Sequence, residues 1–209
     1  MSEPATASRR TQETRRDETR LALINATLHL LLTRGYTRLT TVDVARVAGL
    51  SKGALTYHFP SKEDLVVQSI EHQLRAVTAD LDSFVDHDMT ATASGRQIVD
   101  HLWRLMSGGL FYVTMEYLPE ARHNDGFRAR LIPVVQQFHA ALDQIWRHLS
   151  RTRGLPTDRA QVILNATMCL IRGMVAQSIL RDDPAYFEAI LSYWKDQLEK
   201  EITETTEKR

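Results

Sequence analysis

The sequence lacks the features that mark secreted and membrane-spanning proteins. Cys169 is the only cysteine among 209 residues, so no disulfide can form within the chain and a reducing compartment is expected. No apolar run approaches the roughly 18 residues that cross a bilayer. Residues 1–16 are polar and lack the apolar stretch of a signal peptide. We therefore predict a cytoplasmic protein that has no contact with membranes.

The sequence also lacks the motifs of most catalytic and cofactor-binding proteins. Its eight histidines show no H-x-x-x-H or other metal-ligand spacing. It contains neither a glycine-rich phosphate-binding loop nor the G-x-S-x-G turn of serine hydrolases. Cys169 falls on an apolar helical face, unlike a catalytic thiol. These absences predict a protein that is not an enzyme and that has no metal or cofactor.

The chain has no net charge, because 26 basic residues balance 26 acidic ones, but the two signs are unevenly distributed. Residues 1–62 contain ten Lys and Arg against five Asp and Glu, which gives a net charge of +5. Residues 63–209 carry a net charge of −5. Such asymmetry suggests a nucleic-acid-binding segment joined to a part with another role.

Strand-like alternation of useful length is absent, and apolar residues recur instead at helical spacing. A first helix is expected from near Arg15 to Gly35, where glycine can adopt the left-handed conformation that ends many helices. Its apolar face is formed by Leu21, Ile24, Leu28 and Leu31. Later helices are predicted at about 95–118, 125–152, 158–181 and 184–203.

Glycine and proline punctuate these later helices. Gly108-Gly109 should weaken or bend the helix that contains it, and Pro119 should end that helix. Pro133 should interrupt the next helix. Residues 86–94 are polar and acidic and are predicted to form a loop.

The predicted fold is all-α, with an N-terminal three-helix helix-turn-helix head followed by a helical-bundle domain. We expect a disordered basic arm at 1–14 and a DNA-binding domain at 15–62. We expect residues 63–209 to form a ligand-binding and dimerisation domain.

The helix-turn-helix is predicted from two short helices on either side of Gly49. Thr41 is expected to cap the first of them and Ser51 the second, because side-chain oxygens accept protons from unpaired N–H groups at a helix start. Leu55 and Phe59 should point into the head.

A long fourth helix is expected directly after the helix-turn-helix. Pro60 stops the preceding helix, and Ser61 with Asp64 forms an S-x-x-D capping pattern.

In such a motif one helix crosses the DNA backbone while the other lies in the major groove. Lys52 stands at the start of the second helix, and Tyr57 and His58 can donate protons to phosphate oxygens. The residues predicted to contact DNA are Thr40, Thr41, Ser51, Lys52, Gly53, Ala54, Thr56, Tyr57, His58 and Lys62. The arginines of residues 9–16 either form a solvated tail or enter the minor groove.

The segment 15–66 resembles the TetR family of bacterial repressors. The resemblance lies in Gly35-Tyr36, Thr40-Thr41, Val44-Ala45, Ala48-Gly49-Leu50-Ser51-Lys52-Gly53, Leu55, Tyr57-His58-Phe59 and Ser61-Lys62-Glu63-Asp64-Leu65. It implies that Thr41, Lys52, Gly53, Tyr57, His58 and Lys62 lie at the DNA surface. Ala54 and Thr56 depart from the family pattern, because larger side chains are common at these positions of the recognition helix. Base readout then falls to Lys52, Thr56 and DNA shape.

One short recognition helix contacts too little DNA for specific affinity, so we expect a homodimer on a palindromic double-stranded operator. The resemblance implies that the last two helices pair with their copies as a four-helix bundle. Val162, Ala166, Cys169, Gly173 and Gln177 form a stripe on the first of these two helices. The alternative interpretation is that this stripe fills the core of the monomer.

The middle of the chain is rich in aromatic residues and methionine, which suits either a cavity for a small apolar or aromatic inducer or simple core packing. The candidate ligand-binding residues are Trp103, Met106, Phe111, Met115, Phe138 and Met174. The polar groups expected nearest such a cavity are His101, Arg104, Glu116 and His139.

Two functions remain open. The first is a sequence-specific regulator, either repressor or activator, that an inducer releases from its operator. The second is a ligand-independent or nonspecific architectural DNA-binding protein, although such proteins are usually more uniformly basic.

Overall fold

A computed structural model describes residues 4–85 and 94–207, and every long element in these residues is a helix. The α-helices are α1 (Pro4–Arg38), α2 (Thr41–Val47), α3 (Lys52–His58), α4 (Lys62–Ser83), α5 (Gly95–Leu105), α6 (Phe111–His123), α7 (Asp125–Arg153), α8 (Thr157–Ser178) and α9 (Pro184–Glu207). A short π-helix, Met106–Leu110, joins α5 to α6. The all-α prediction is confirmed. No helix among the described residues combines the length and apolar character needed to span a membrane.

The chain forms two compact units that differ from the predicted division after residue 62. The first unit contains Met1–Gln73 and Met115–Leu131, and the second contains Leu74–Thr114 and Ile132–Arg209. Helix α4 runs past the predicted boundary without a break, because its apolar positions continue at helical spacing. The helix-turn-helix head therefore has a further segment, 115–131, packed into it.

The first unit is built around the apolar face of α1. Leu23, Ile24, Leu30 and Leu31 are at most 2% exposed, whereas Leu21 is 43% exposed. The buried face of α1 is therefore rotated around the helix axis relative to the predicted face, although Ile24 and Leu31 belong to both. Buried residues of α2, α3 and α4 complete this core: Val44, Ala45, Leu55, Leu65, Val66 and Ile70.

The first helix is longer than predicted and is broken where predicted. It begins at Pro4 rather than near Arg15, so residues 4–14 are helical and not a disordered arm. No glycine or proline separates Ala5 from Arg34, and extending an existing helix costs little free energy. At Gly35 the backbone has a φ of 77° and a ψ of 165°, which interrupts the helical path as expected.

Both internal prolines lie within continuous helices, so the predicted helix end at Pro119 and interruption at Pro133 are wrong. Pro119 lies inside α6, and Pro133 lies inside α7. Both residues are exposed, where water can bind the carbonyl oxygen that loses its helical partner. The break occurs instead at Gly109, which has a φ of 113° in the π-helix, so the predicted bend at Gly108-Gly109 is confirmed.

In the second unit, polar contacts tie α9 to α5 and α8. Lys195 lies 2.5 Å from the Asp100 carboxylate, and Arg96 pairs with Asp196. The Trp194 indole nitrogen donates to the Thr167 hydroxyl oxygen at 2.9 Å. Ser94 and Gln97 form a capping box at the start of α5, while the rest of the predicted loop, residues 86–93, lies outside the described residues.

Candidate nucleic-acid interface

Helix α2 is capped by Thr40 and not by Thr41, which is the first helical residue. The Thr40 hydroxyl oxygen accepts a hydrogen bond from the Asp43 backbone N–H at 3.1 Å, and the hydroxyl donates to the Asp43 carboxylate at 2.8 Å. Thr40 is in the extended conformation that an N-cap requires, which explains the shift by one residue. Both hydrogen-bonding functions of the Thr40 hydroxyl are therefore already used within the protein.

Asp43 is the centre of a small ion-pair cluster in the first turn of α2. Arg46 lies 3.0 Å and Arg34 lies 3.4 Å from its carboxylate. Hydrogen bonds from Arg46 and Thr40, together with the positive charge of Arg34, lower the pKa of Asp43. This cluster links the end of α1 to the start of α2 and orients the helix-turn-helix.

Helix α3 begins and ends as predicted. The Ser51 hydroxyl oxygen accepts a hydrogen bond from the Ala54 backbone N–H at 3.1 Å. Leu55 is 2% and Phe59 is 1% exposed, so one side of the helix is anchored in the core. The turn before α3 contains Gly49 with a φ of 68°, a conformation that favours glycine.

The opposite side of α3 is presented to solvent. Lys52, Gly53 and Thr56 are exposed, and Tyr57 is 70% exposed, whereas Ala54 is half-buried. The Thr56 hydroxyl donates to the Lys52 carbonyl oxygen at 3.0 Å, so its methyl group and the acceptor function of its oxygen are left to meet a base. The predicted DNA-contacting residues of α3 thus form one accessible face, but their contact with DNA stays a prediction.

Tyr57 and His58 lie beside α1 at the end of α3. The Arg16 guanidinium lies 5.6 Å from the centre of the Tyr57 ring. His58 is half-buried, and this burial, with the positive charges of Arg16 and Arg20, lowers the pKa of its imidazole below the usual value. Arg16 of α1 therefore lies next to the residues predicted to contact DNA at the end of α3.

Lys62 occupies a different position from the exposed phosphate contact that the sequence suggests. Its ammonium donates to the Tyr36 carbonyl oxygen at 2.7 Å and lies 4.2 Å from the centre of the Tyr36 ring. Burial lowers the pKa of Lys62, and the negative charge of Glu120 partly opposes this effect. Through these contacts Lys62, at the start of α4, is bound to Tyr36, near the end of α1.

The segment 115–131 is the part of the head that sequence reasoning missed. The Tyr36 backbone N–H donates to a Glu116 carboxylate oxygen at 3.1 Å, so Glu116 serves the head and not a ligand cavity. The Asn124 amide donates to Glu63 at 3.1 Å. Phe127 is fully buried, with its ring 5.8 Å from that of Tyr36. No local motif signals these contacts, since Tyr36 and Glu116 are 80 residues apart.

Ion pairing also joins this segment to α4. Arg130 lies 2.5 Å from the Asp64 carboxylate. The predicted cap is present, because the Asp64 backbone N–H donates to the Ser61 hydroxyl oxygen at 3.0 Å. The hydrogen bond from Ser61 and the pairing with Arg130 lower the pKa of Asp64.

The six candidate ligand-binding residues do not all fall in one unit. Met115 belongs to the first unit and the other five to the second. Met106, Phe138 and Met174 are buried core residues, whereas Trp103 and Phe111 are half-buried. Among the predicted polar groups, His101 stacks on Phe84, and its Nε2 lies 3.0 Å from the Asp80 carboxylate. His139 and Arg104 are exposed.

Trp103 borders an open groove of about 320 Å³ in the second unit. Phe187 and Leu191 of α9 supply its apolar surface, and Ser178 lies at the end of α8. The polar and charged groups in its lining also include Arg181, Asp182, Asp183 and Glu188. One of the predicted ligand residues, Trp103, therefore lines a groove in the second unit.

Comparison with known proteins agrees with this architecture. Residues 23–68 match the family described as bacterial regulatory proteins, tetR family. Over 186 residues the chain is 27% identical to the HTH-type transcriptional regulator CymR of Pseudomonas putida, an alignment that covers 87% of this chain and 90% of CymR. These matches confirm the prediction of a helix-turn-helix transcriptional regulator rather than an enzyme.

Solved structures share the same fold at low identity. A TetR-family regulator from Mesorhizobium loti has a TM-score of 0.71 at 16% identity, covering 90% of this chain and 96% of its own. FadR from Bacillus subtilis, solved in complex with stearoyl-CoA, has a TM-score of 0.64 at 17% identity, covering 86% of this chain and 97% of its own. Likeness at such identities establishes the fold alone.

Proposed function

We propose that the chain is a TetR-family regulator that binds a palindromic operator as a homodimer and represses transcription there, because residues 23–68 match that family and 186 residues align with a helix-turn-helix transcriptional regulator. The observation that carries this proposal is the accessible face of α3. Lys52, Thr56 and Tyr57 are exposed on a helix whose opposite side is fixed by buried Leu55 and Phe59. A short, rigidly anchored helix with exposed polar side chains fits the major groove.

Few side chains on this face can read bases, so specificity depends on Lys52, Thr56 and the spacing of two recognition helices. Two such helices reach successive major grooves when they are about 34–36 Å apart. Selection of binding sites from random DNA by the full-length protein tests this. We expect an inverted repeat to be enriched. Enrichment of no motif would favour a nonspecific architectural role and contradict the proposal.

Exposed apolar residues on α8 and at its end support the homodimer. Val162 is 57% exposed, and Cys169 on the same stripe is exposed as well. Ile179 is 52% and Leu180 is 95% exposed directly after α8. A monomer would leave these side chains in water, whereas a two-fold bundle of α8 and α9 would cover them.

The groove beside Trp103 supports release by a small apolar or aromatic ligand. The half-buried Trp103 indole offers a stacking surface beside Phe187 and Leu191, which are 6% and 2% exposed, and Asp182, Asp183 and Glu188 make the rest of the lining acidic. Trp103 fluorescence should change when such a compound binds, and the same compound should release operator DNA. Comparison with the Trp103→Phe variant shows which part of the change in emission comes from Trp103. If compounds that release DNA leave Trp103 emission unchanged, the ligand lies elsewhere.

A further inference from the structure

A groove of about 580 Å³ lies between the segment Gln12–Thr19 of α1 and the end of α3. It is lined on the α1 side by residues between Gln12 and Thr19 and on the α3 side by Tyr57 and His58. The sequence predicted a disordered arm for part of this segment. In the structure, residues 12–19 are helical and form the α1 side of the groove, beside the recognition helix.

Contacts between arginine and aromatic side chains join this part of α1 to α3. The Arg16 guanidinium packs over the Tyr57 ring, and the Arg20 guanidinium lies 5.9 Å from the centre of the Phe59 ring. Arg20 also donates to the Gln68 side chain of α4 at 2.6 Å. Because Phe59 is buried, these contacts fix α1 relative to the core of the first unit.

The groove carries unneutralised positive charge. Arg15 and Arg16 are exposed, and within the described part of the chain neither is paired with a carboxylate. Burial lowers the pKa of the neighbouring His58, and the positive charges of Arg16 and Arg20 lower it further. Glu13 is the acidic group that lines the groove. Arginine suits phosphodiester oxygens because its planar guanidinium can donate two parallel hydrogen bonds.

We propose that this groove binds one strand of the DNA backbone, with Arg15 and Arg16 contacting phosphates and Tyr57 donating from the opposite wall. The proposal rests on the operator binding proposed above and extends that interface onto α1. It also accounts for a recognition helix with few base-reading groups, since phosphate contacts supply affinity and position the helix in the groove.

Binding of the selected operator by full-length protein, measured over a range of salt concentrations, tests the proposal. We expect the double variant Arg15→Gln/Arg16→Gln to bind about tenfold more weakly, with a salt slope lower by about two. Arg16→Lys should keep the salt slope, since the charge remains. Arg151→Gln, an exposed arginine of the second unit, makes the same charge change per residue and should leave both quantities unchanged.

Glu13 provides a test in the opposite direction. Glu13→Gln removes a negative charge from the groove, so operator affinity should increase by about two- to fivefold. Circular dichroism of each variant checks that the helical content is retained.

The outcomes separate this proposal from the proposed function. If the wild type binds an enriched site while the double variant and Glu13→Gln bind it as the wild type does, the groove proposal is overturned and operator binding stands. If the wild type enriches no site, both proposals fall.

Discussion

The Lys62 ammonium donates to the Tyr36 carbonyl oxygen at 2.7 Å, while the Tyr36 backbone N–H donates to the Glu116 carboxylate at 3.1 Å. The Lys62 ammonium and the Glu116 carboxylate thus each form a hydrogen bond with the backbone of Tyr36. Tyr36 follows Gly35, the residue at which α1 is broken. The end of α1, the start of α4 and segment 115–131 therefore meet at this corner, which sets the frame for the helix-turn-helix.

Lys62 is expected to contribute to stability rather than to DNA contact. Lys62→Met keeps the length of the side chain but removes the hydrogen bond to Tyr36. Unfolding of the full chain in urea should show a loss of about 1.5–3 kcal/mol, the range for a hydrogen bond to a charged group. The exposed control Lys52→Met should change stability by less than about 0.5 kcal/mol. Unchanged stability of Lys62→Met, with a DNA salt slope lower by about one, would instead make Lys62 a phosphate contact.

Gly35 should not tolerate a side chain. Its φ of 77° with a ψ of 165° is a conformation that only glycine adopts readily, and an added Cβ would lie 2.5 Å from a Glu116 carboxylate oxygen. Gly35→Ala should lower the free energy of unfolding by about 1–3 kcal/mol. Gly35→Ala/Glu116→Ala should remain destabilised, because the backbone strain persists after the clash is removed.

Gly108→Ala is the matched control for Gly35. Its added Cβ meets no atom within 4 Å. Equal stability of the two single alanine variants would show that the Gly35 corner carries no strain.

Operator affinity should increase as pH falls through the titration range of His58. Burial and the charges of Arg16 and Arg20 lower the pKa of free His58 below 6.5. Phosphates bound against Tyr57 and Arg16 would raise this pKa, so binding would take up a proton, and affinity should rise between about pH 7.5 and pH 5.5. Fluorescence anisotropy at constant ionic strength measures this.

The stability of the free protein should show the opposite dependence on pH at His58. A histidine with a lowered pKa favours folding above pH 6.5, and this contribution is lost as pH falls.

His58→Gln should weaken the pH dependence of DNA binding. If wild type and His58→Gln have the same pH profile, no phosphate lies near this side chain.

A charge on the exposed stripe of α8 should separate the proposed dimer. Val162→Glu places a carboxylate at a position that is 57% exposed in one chain and buried in the proposed bundle. Sedimentation velocity should show a monomer that has lost most of its operator affinity. Gln144→Glu introduces the same charge at an exposed position of α7 and should remain dimeric. A dimeric Val162→Glu would place the interface elsewhere.

Helical periodicity and local capping were enough to predict the helix-turn-helix. Ser51 caps α3, Ser61 caps α4, and Leu55 and Phe59 are buried, because each effect depends on residues close in sequence. The effect of proline was predicted wrongly. Pro119 and Pro133 lie within continuous helices, on exposed faces where a helix tolerates the lost hydrogen bond.

The contacts that complete the first unit could not be predicted from the sequence. Glu116 reaches Tyr36 across 80 residues, and Arg16, at the start of the predicted first helix, reaches Tyr57 across about 40 residues. Periodicity describes one element at a time and does not specify which distant polar groups meet. The hydrogen bond of Lys62 was missed for the same reason, because its partner lies on α1, while its contact with DNA stays a prediction.

The most direct test of the proposed function is the affinity of wild type, Lys52→Ala and Thr56→Ala for the selected operator and for a scrambled duplex at one salt concentration. We expect the wild type to prefer the operator by at least about 1,000-fold, the lower range for specific DNA-binding proteins. Both variants should lose part of that preference, because both residues lie on the exposed face of α3. Equal affinity of the wild type for operator and scrambled DNA would contradict sequence-specific regulation through this helix.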